Sequence, residues 1–286
     1  MRKNIIYLIS LCLFIFASCE KEPEVKNNRH NLGPNELKIM SFNMREPADG
    51  GKDEWAVRAG AVMAMFDDQQ ASLMGFQEAG HSSINRYLKA IIPNYGYVFI
   101  DELENKNSIA YRPELLKVVR KGLIWLTDTP NIPSVTTSGN VRTARWIVFE
   151  IIATGTQFFY INTHFDLSMT DQKLNQKYIN RLITQQNKDN LPVVMTGDFN
   201  VESNTSVFDS IKETMVCTRD VAPITDQEYT YNAWGNSAKF RIIDHIFMSK
   251  ELVCSEYKTV TQSYENHYYV SDHYPIYSII NFDNHE

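Results

Sequence analysis

Residues 193–200, Val-Val-Met-Thr-Gly-Asp-Phe-Asn, form an apolar run that ends abruptly in polar residues. A short β-branched run of this kind, closed by a turn signal, predicts a buried β-strand. Side chains alternate between the two faces of a strand, so Asp198 and Asn200 point to the same side. The stretch therefore predicts a strand that delivers a carboxylate and an amide to the rim of a sheet.

The same arrangement recurs in both directions from this strand. Met40–Asn43 ends in an amide, residues 73–78 end in Glu78, and residues 160–166 deliver His164 and Asp166. Two further places, residues 243–245 and 271–273, read Ile-Asp-His and Ser-Asp-His. Loops at strand ends commonly carry functional residues. Together these groups supply oxygen ligands for a hard cation, imidazoles for an anionic oxygen and carboxylates that activate water, a set that suits metal-assisted hydrolysis at phosphorus.

Strands outnumber helices in the rest of the pattern. Hydrophobic periodicity predicts helices over about 53–66, 82–92 and 170–186, with Ser168 and Asp171 forming a cap on the last one. The predicted strands are Leu37–Asn43, Ser72–Glu78, Tyr95–Asp101, Ser108–Arg112, Leu115–Leu126, Arg145–Ala153, Gln157–Thr163, Pro192–Asp198, Phe240–Met248, Leu252–Thr261 and Tyr274–Ile280. This order favours two packed sheets flanked by helices. A long connection between Leu126 and Arg145 is of a length that is often functional.

Composition limits the class of protein. The 286 residues are 43 % hydrophobic and 22 % charged, with only 12 Gly and 10 Pro, which excludes disordered, collagen-like and polytopic membrane proteins. The formal charge is −6, and it becomes −8 without Arg2 and Lys3. An acidic chain is poorly suited to coating duplex DNA, which requires a basic surface. We expect one domain.

The amino-terminal segment indicates export. Arg2 and Lys3 precede an apolar run, Ile5–Ala17, that is too short to span a membrane. Residues 16–19, Phe-Ala-Ser-Cys, resemble a bacterial lipobox, which implies cleavage before Cys19 and lipidation of that residue. We therefore divide the chain into a signal peptide (1–19), a polar flexible tether (20–36) and a folded domain (37–286) that carries the candidate site. We expect a lipid anchor to hold the protein in the cell envelope, at the periplasmic or the outer surface. An ordinary secreted protein and an uncleaved anchor are the alternatives.

Two cysteines remain after Cys12 leaves with the signal peptide and Cys19 takes a lipid. Cys217 and Cys254 lie in separate segments, and buried free thiols are favoured over a disulfide. Neither cysteine has neighbours at the spacing of a structural zinc site.

The order of the motifs resembles the endonuclease/exonuclease/phosphatase family. The likeness extends over Leu37–Phe282 and is closest to compact bacterial members. It implies a four-layer α/β/β/α sandwich of two mostly antiparallel mixed sheets, with the site where the sheets open. The matching motifs are S-F-N at 41–43, F-Q-E at 76–78, I-A-Y-R at 109–112, N-T-H at 162–164, T-G-D-F-N at 196–200, R-I-I-D-H at 241–245 and S-D-H-Y-P at 271–275.

The resemblance also implies a role for each motif residue. Glu78, Asn43 and Asp272 would surround Mg²⁺, with Mn²⁺ as a substitute. Asp198, helped by Asn200, would position and deprotonate the attacking water. His164 and His273 would bind the phosphoryl oxygens, with Asp244 orienting His273. Arg142 and Tyr111 would contact substrate phosphate, and Arg142, Arg145 and Lys239 would form an anion-attracting rim.

Two alternatives remain open from the sequence. One is a non-catalytic envelope lipoprotein that uses the same sandwich as a binding module, although none of its expected catalytic residues is substituted. The other is a zinc hydrolase built from His164, Asp166, His245 and His273, although we interpret His245 as structural. The substrate is a phosphorylated small molecule, a phospholipid headgroup or a nucleic acid, and the acidic charge favours the first two. We expect a monomer.

Overall fold

A computed structural model describes residues 32–101 and 107–283. The first sheet has six strands in the spatial order β11-β12-β1-β2-β4-β3. They are β1 (Glu36–Asn43), β2 (Leu73–Gln77), β3 (Val98–Ile100), β4 (Ser108–Tyr111), β11 (Val253–Thr259) and β12 (Ile276–Asn281). Only β1 and β2 pair in parallel within this sheet as it is described; the other neighbours are antiparallel.

The second sheet repeats this plan in the order β5-β6-β7-β8-β10-β9. Its strands are β5 (Leu116–Trp125), β6 (Thr143–Ile151), β7 (Gln157–His164), β8 (Val193–Asp198), β9 (Met215–Cys217) and β10 (Asp244–Ser249). Here β7 and β8 are parallel. The carboxyl ends of both parallel pairs meet at one edge of the sandwich, because Asn43 at the end of β1 contacts Asp198 at the end of β8.

Helices cover the outer faces. They are α1 (Trp55–Gln69), α2 (Ser82–Ile91) and α3 (Met169–Gln186). The short α4 (Thr218–Val221) lies between the two sheets, where Thr218 hydrogen-bonds to Ile246 of β10 and Ser278 of β12. Apolar side chains of α1 and α2 pack on the outer face of the first sheet, and those of α3 pack on the second. A third apolar cluster fills the space between the sheets. The four-layer α/β/β/α sandwich is confirmed.

Most element boundaries agree with the sequence pattern to within a few residues. Ser168 caps α3 by accepting a hydrogen bond from Asp171 N at 3.1 Å, as predicted. The predicted strand Phe240–Met248 begins only at Asp244, because Thr230 Oγ1 accepts hydrogen bonds from the backbone N–H groups of Ile243 and Asp244. Residues 92–95 form a 3₁₀ turn, so β3 is shorter than the predicted strand.

The space between the sheets changes character along the strands. The inward side chains at one level, Leu73, Tyr160 and Val194, belong to the apolar cluster. Two residues further along each strand, the inward positions are Gly75, Asn162 and Thr196, and two further they are Gln77, His164 and Asp198. Because inward residues repeat every second position, the alternation of the sequence itself carries the core from apolar to polar toward the open edge.

The predictions about the cysteines can be compared with the structure, whereas those about the amino-terminal segment cannot. Cys217 and Cys254 are buried free thiols. The signal peptide with Cys19, and most of the tether, lie outside the described residues. Within the described ranges, no helix is both long and apolar enough to cross a membrane.

Candidate active site

The polar strand ends surround one cavity of about 540 Å³ at the open edge of the sandwich. Both sheets contribute to it, as do the loops before β10 and β12. Its walls are formed by Arg45, Glu78, Arg142, His164, Leu167, Asp198, Asn200, Tyr231, Lys239, Arg241, Ile243, Asp272 and His273.

Asp198 lies at the floor of this cavity and is 2 % exposed. Its Oδ2 accepts a hydrogen bond from Asn43 Nδ2 at 2.9 Å and lies 3.4 Å from His164 Nε2 and 3.7 Å from His273 Nε2. Its Oδ1 accepts from the backbone N–H of Asn200 at 2.9 Å. One carboxylate is thus held by both sheets and faced by two imidazoles.

His273 is fixed from behind by a second carboxylate. Its Nδ1 lies 2.8 Å from Asp244 Oδ2, and both residues are buried. This contact turns Nε2 toward Asp198 and the cavity. The ring of Tyr231 packs against the imidazole with 4.9 Å between centroids. A carboxylate at Nδ1 sets the tautomer of a histidine and stabilises its protonated form.

Burial and neighbouring charges both shift the pKa values of Asp198 and His273. Burial raises the pKa of Asp198 to about 7, with His273 opposing the rise and Asp244 adding to it. Burial alone lowers the pKa of His273, but the charges of Asp244 and Asp198 outweigh that effect and raise it to about 10. Near neutral pH, the arrangement combines a carboxylate able to exchange a proton with an imidazolium beside it.

A second group of oxygen donors lies on the first sheet. Asn43 Nδ2 is 3.3 Å from Glu78 Oε1, and Glu78 Oε2 accepts from the backbone N–H of Glu46 at 2.7 Å. Burial raises the pKa of Asp272, with His273 and Arg45 opposing the rise and Glu78 adding to it. Glu78 and Asp272 both line the cavity. Glu78 has φ +58°, a left-handed backbone that is rare for this residue type and is often found at functional sites.

Among the described residues, Asp198, Asp244 and His273 form a buried group whose ligand atoms lie within 4.8 Å of one another, close enough to hold a metal ion. The hydrogen bond between His273 and Asp244 already occupies one ligand atom of each. Glu78 and Asp272 provide carboxylate oxygens beside it, which is the donor type that a hard divalent cation prefers. Asn43 turns its amide nitrogen toward Glu78 and Asp198, and its Oδ1 accepts from the backbone N–H of Arg45 at 2.9 Å.

The long connection ahead of β6 forms one wall of the cavity. Buried Asp166 accepts hydrogen bonds from Asn140 Nδ2 at 3.0 Å and from Thr136 Oγ1. Asp171 accepts from Thr137 Oγ1 at 2.7 Å and from the backbone N–H of Ser138. Two carboxylates thus fix this loop, residues 127–142, to the start of α3, which places Arg142 at the cavity. Asp166 therefore holds the loop of residues 127–142 in place by accepting hydrogen bonds from Thr136 and Asn140.

Arg142 differs from an ordinary surface arginine. Its Nε is buried and has no hydrogen-bond partner within residues 32–101 and 107–283. Because the Arg142 side chain lines the cavity, its guanidinium is a candidate group for binding an anionic ligand.

Several residues considered from the sequence do not come to this cavity. Tyr111 pairs with Leu73 at the opposite end of β2 from Glu78 and packs on Phe149, 5.2 Å away between centroids. Arg145 is buried and donates from Nε to Asn107 O at 2.8 Å, so it is not part of the rim. Both residues carry structural contacts because their side chains point between the sheets.

The four residues of the zinc alternative are not brought together either. His245 lies on the face of β10 opposite Asp244, among the rings of Phe199, Phe208 and Phe247. Burial lowers the pKa of His245 to about 4, and its Nε2 is 2.9 Å from Val201 O. The structural interpretation of His245 agrees with this position.

Sequence reasoning missed three residues of the site. Tyr231 and Arg241 lie on an irregular segment that pairs only through isolated bridges, to each other and from Tyr231 to His273. Arg45 pairs with Asp49 at 2.7 Å and lies 3.6 Å from Asp272. Arg241 begins the R-I-I-D-H motif but was assigned no role in the site. Irregular segments lack hydrophobic periodicity, so the pattern gave no signal for Tyr231 or Arg45.

A sandwich that opens onto clustered carboxylates and histidines defines a deoxyribonuclease-like phosphoesterase fold. The sequence profile of the Endonuclease/Exonuclease/phosphatase family matches residues 40–273. The chain belongs to this family of phosphoric ester hydrolases, which confirms the resemblance seen in the motifs.

Solved structures and a curated sequence agree with that assignment. A family member from Bacteroides thetaiotaomicron is 25 % identical, with a TM-score of 0.75 over 87 % of this chain and 98 % of that one. A mannosyl-6-phosphatase of the same organism is 24 % identical, with a TM-score of 0.73 over 86 % of this chain and 100 % of that one. An uncharacterized protein of Acanthamoeba polyphaga mimivirus is 22 % identical over 78 % of this chain and 91 % of its own length.

Proposed function

We propose that this protein is a Mg²⁺-dependent phosphoesterase, with Mn²⁺ able to replace Mg²⁺, that hydrolyses the phosphate ester of a small polar molecule. The observation that carries the proposal is the position of Asp198, buried between two imidazoles and joined to the oxygen donors of the first sheet through Asn43. This is the arrangement that an in-line attack of water on phosphorus requires, since base, anion-binding groups and cation ligands must lie within a few ångströms of each other.

The carboxylate oxygens in the cavity are of the ligand type that Mg²⁺ prefers. Glu78 and Asp272 present carboxylate oxygens to the cavity, and Asn43 lies behind them, with its amide nitrogen 3.3 Å from Glu78 Oε1. A bound Mg²⁺ would neutralise charge on the phosphoryl oxygens and the leaving group. Burial, with a smaller contribution from the charge of Glu78, raises the pKa of Asp272, and a bound cation would oppose both effects.

The protein's own groups perform the proton and charge chemistry. Asp198 accepts the proton of the attacking water, and the backbone N–H of Asn200 holds the other carboxylate oxygen in place. His273, kept protonated by Asp244, stabilises the negative charge that develops on a non-bridging phosphoryl oxygen. His164, which is 3.1 Å from Asn200 Nδ2, binds a second phosphoryl oxygen.

The cavity supports a small substrate. Its volume of about 540 Å³ lies in the range of small-molecule sites, roughly 300–1,000 Å³. Arg142, Lys239 and Arg241 add cationic groups to its wall, and the formal charge of the chain is −6. A similar structure is named as a phosphatase of a mannosyl 6-phosphate, which is a sugar phosphate. We therefore favour a phosphomonoester of a sugar-sized molecule over a long nucleic acid or a phospholipid.

We also propose that the protein acts in the cell envelope as a lipoprotein anchored through Cys19. The support is the sequence of residues 1–19 and the polar tether that follows it. Metabolic labelling with a radioactive fatty acid tests this directly. The native chain should be labelled and remain with membranes, and Cys19→Ala should abolish the label.

The catalytic proposal is tested by hydrolysis of a panel of sugar phosphates, inositol phosphates, a phosphodiester, sphingomyelin and single-stranded DNA. Inorganic phosphate is measured for the monoesters, and the released alcohol, phosphocholine or shortened strand is measured for the diesters. Each substrate is assayed with Mg²⁺ and with chelator. Asp198→Asn should lower kcat by about 1,000-fold or more, because it removes the base that acts in the transition state. Asp209→Asn, at an exposed position, is the matched control and should leave kcat unchanged.

Hydrolysis that survives chelation, or an active Asp198→Asn variant, would refute the proposed mechanism. A folded protein that hydrolyses no member of the panel and binds no Mg²⁺ would instead support the binding-module alternative.

A further inference from the structure

A polar layer between the two sheets lies directly beneath the candidate active site. We call this layer the intersheet clasp and define it as Ser41, Gln77, Tyr160, Asn162 and Thr196. Each of these side chains is at most 1 % exposed. Ser41 and Gln77 belong to the first sheet, and Tyr160, Asn162 and Thr196 belong to the second.

Asn162 is the centre of the clasp, and both ends of its amide form hydrogen bonds to the first sheet. Its Nδ2 donates to Phe76 O at 2.8 Å and to Ser108 O at 3.0 Å, both on the first sheet. Its Oδ1 accepts from Gln77 Nε2 at 2.7 Å and from Thr196 Oγ1 at 3.2 Å. Three of these four hydrogen bonds cross to the first sheet and fix β7 against β2 and β4. The fourth, from Thr196 of the neighbouring β8, holds the Asn162 amide in this orientation.

Two further contacts extend the clasp on either side. Gln77 Nε2 also lies 3.2 Å from Ser41 Oγ, which brings in β1. Tyr160 Oη lies 2.6 Å from Thr196 Oγ1. There is room for this network only because residue 75 is glycine: a Cβ there would lie 2.4 Å from Tyr160 Oη and 2.5 Å from Thr196 Oγ1.

The clasp is adjacent in sequence to the groups that must act together. Ser41 lies two residues before Asn43, Gln77 one before Glu78, and Asn162 two before His164. Thr196 lies two before Asp198. Each strand is nearly rigid over two residues, so the clasp sets the distance between the cation ligands of the first sheet and the base and imidazole of the second.

Stability alone does not explain a polar layer here. The adjacent level of the core is apolar, with Leu73 and Val194, and the clasp leaves Gln77 Oε1 buried with no hydrogen-bond partner in the described ranges. A buried network with unsatisfied members stabilises a core less than well-packed apolar side chains would. Hydrogen bonds do, however, fix direction and distance, which van der Waals packing does not.

We propose that Asn162 and Thr196 are positioning residues that hold the two halves of the catalytic site in register. The proposal rests on the phosphoesterase function proposed above. Neither residue lines the cavity, so they act through Asp198, His164 and Glu78.

The test uses three substitutions in the full-length chain. Thr196→Val keeps the shape and removes the hydroxyl, whereas Thr196→Ser keeps the hydroxyl and removes a methyl group. Thr218→Val is the matched control: Thr218 is equally buried, donates to Ile246 O of the second sheet at 3.0 Å and accepts from Ser278 Oγ of the first at 2.8 Å. It therefore joins the two sheets outside the clasp, so it separates the effect of the clasp from that of any buried hydroxyl between the sheets. Steady-state kinetics, Mg²⁺ dependence and thermal unfolding are measured for all three.

Thr196→Val should lower kcat by about tenfold or more, since misplacement of reacting groups by an ångström costs up to about 100-fold. KM for the substrate and the Mg²⁺ concentration for half-maximal rate should change little, because the cation ligands remain on one sheet. Thr196→Ser should restore kcat to within about twofold, and Thr218→Val should lose stability but keep kcat. A merely structural role predicts that kcat is unaffected once each variant is folded, and that result would overturn the proposal.

Crystal structures of Thr196→Val and Thr218→Val give a readout that does not depend on activity. The hydrogen bond of 2.9 Å between Asn43 and Asp198 should open in the first variant and persist in the second. If the native protein hydrolyses no phosphate ester, the proposed function fails and this distance still decides whether the clasp sets the register. An unchanged distance in Thr196→Val would refute the clasp even if the enzyme is active.

Discussion

Asp244 controls the charge of the candidate site although it does not line the cavity. Its carboxylate raises the pKa of both Asp198 and His273. Catalysis requires Asp198 deprotonated and His273 protonated, so activity should rise with pH through the pKa of Asp198 and fall through that of His273.

Asp244→Asn should shift both limbs of the pH profile to lower pH. Loss of the negative charge favours the ionised form of Asp198 and disfavours the protonated form of His273, so both pKa values fall. Activity on the alkaline side should drop by about 100-fold, the scale of one general acid or base. The measurement is kcat/KM against pH at saturating Mg²⁺, and an alkaline limb that stays in place would show that His273 does not carry the activity.

Gly75 is the residue at which the smallest change should disturb the core. A Cβ there would lie 2.4 to 2.6 Å from three polar atoms of the second sheet. Gly75→Ala should therefore lower the free energy of unfolding by about 1–3 kcal/mol or more. Gly50→Ala, where no atom lies within 4 Å of the new Cβ, should have little effect. Chemical denaturation of both variants measures the difference, and equal stabilities would mean that the sheets separate at little cost.

At the scale of elements, the loop of residues 127–142 depends on Asp166. Asp166→Ala removes the acceptor for Thr136 and Asn140, so hydrogen exchange in the loop should increase. Arg142 would then be less well placed, and KM for a phosphate ester should rise several-fold with a smaller change in kcat. Asp209→Ala serves as the control. A KM that is unchanged while the loop exchanges faster would exclude Arg142 from substrate binding.

Elements with a regular hydrophobic period were predictable from the sequence, and short irregular ones were not. The strand that ends at Asp198 and the helix capped by Ser168 follow from alternation and capping. The strand Met215–Cys217 and the helix Thr218–Val221 were not predicted, because three or four residues cannot establish a period.

In the candidate site, too, residues on regular strands were predictable from the sequence and residues on irregular segments were not. Glu78, His164, Asp198 and His273 stand at or directly beside regular strands, and motif order brought them together correctly. Tyr231 and Arg241 reach the cavity from a segment without regular structure, and Tyr111 was assigned to it although its strand runs in the opposite direction. Sequence spacing gives the face on which a side chain lies, but only sheet pairing gives the end of the sandwich at which it emerges.

At the scale of the whole molecule, the site joins two sheets that are otherwise held by an apolar core and the intersheet clasp. Glu78 comes from the first sheet and Asp198 from the second, and Glu78, Asp198 and Asp272 bring carboxylates into one cavity. Their mutual repulsion opposes folding, and a cation that binds only the folded chain should relieve it.

Mg²⁺ should therefore stabilise the protein after treatment with chelator. At a concentration of 100 times Kd the gain is about 2.7 kcal/mol, which corresponds to a rise in Tm of roughly 5–10 °C for a domain of this size. Glu78→Gln should remove most of that rise, whereas Glu251→Gln, at an exposed turn, should keep it. A rise that survives Glu78→Gln but is lost in Asp244→Asn would place the ion among Asp198, Asp244 and His273 instead. The same thermal measurement thus locates the cation on one side of the site or the other, because the two ligand sets share no residue.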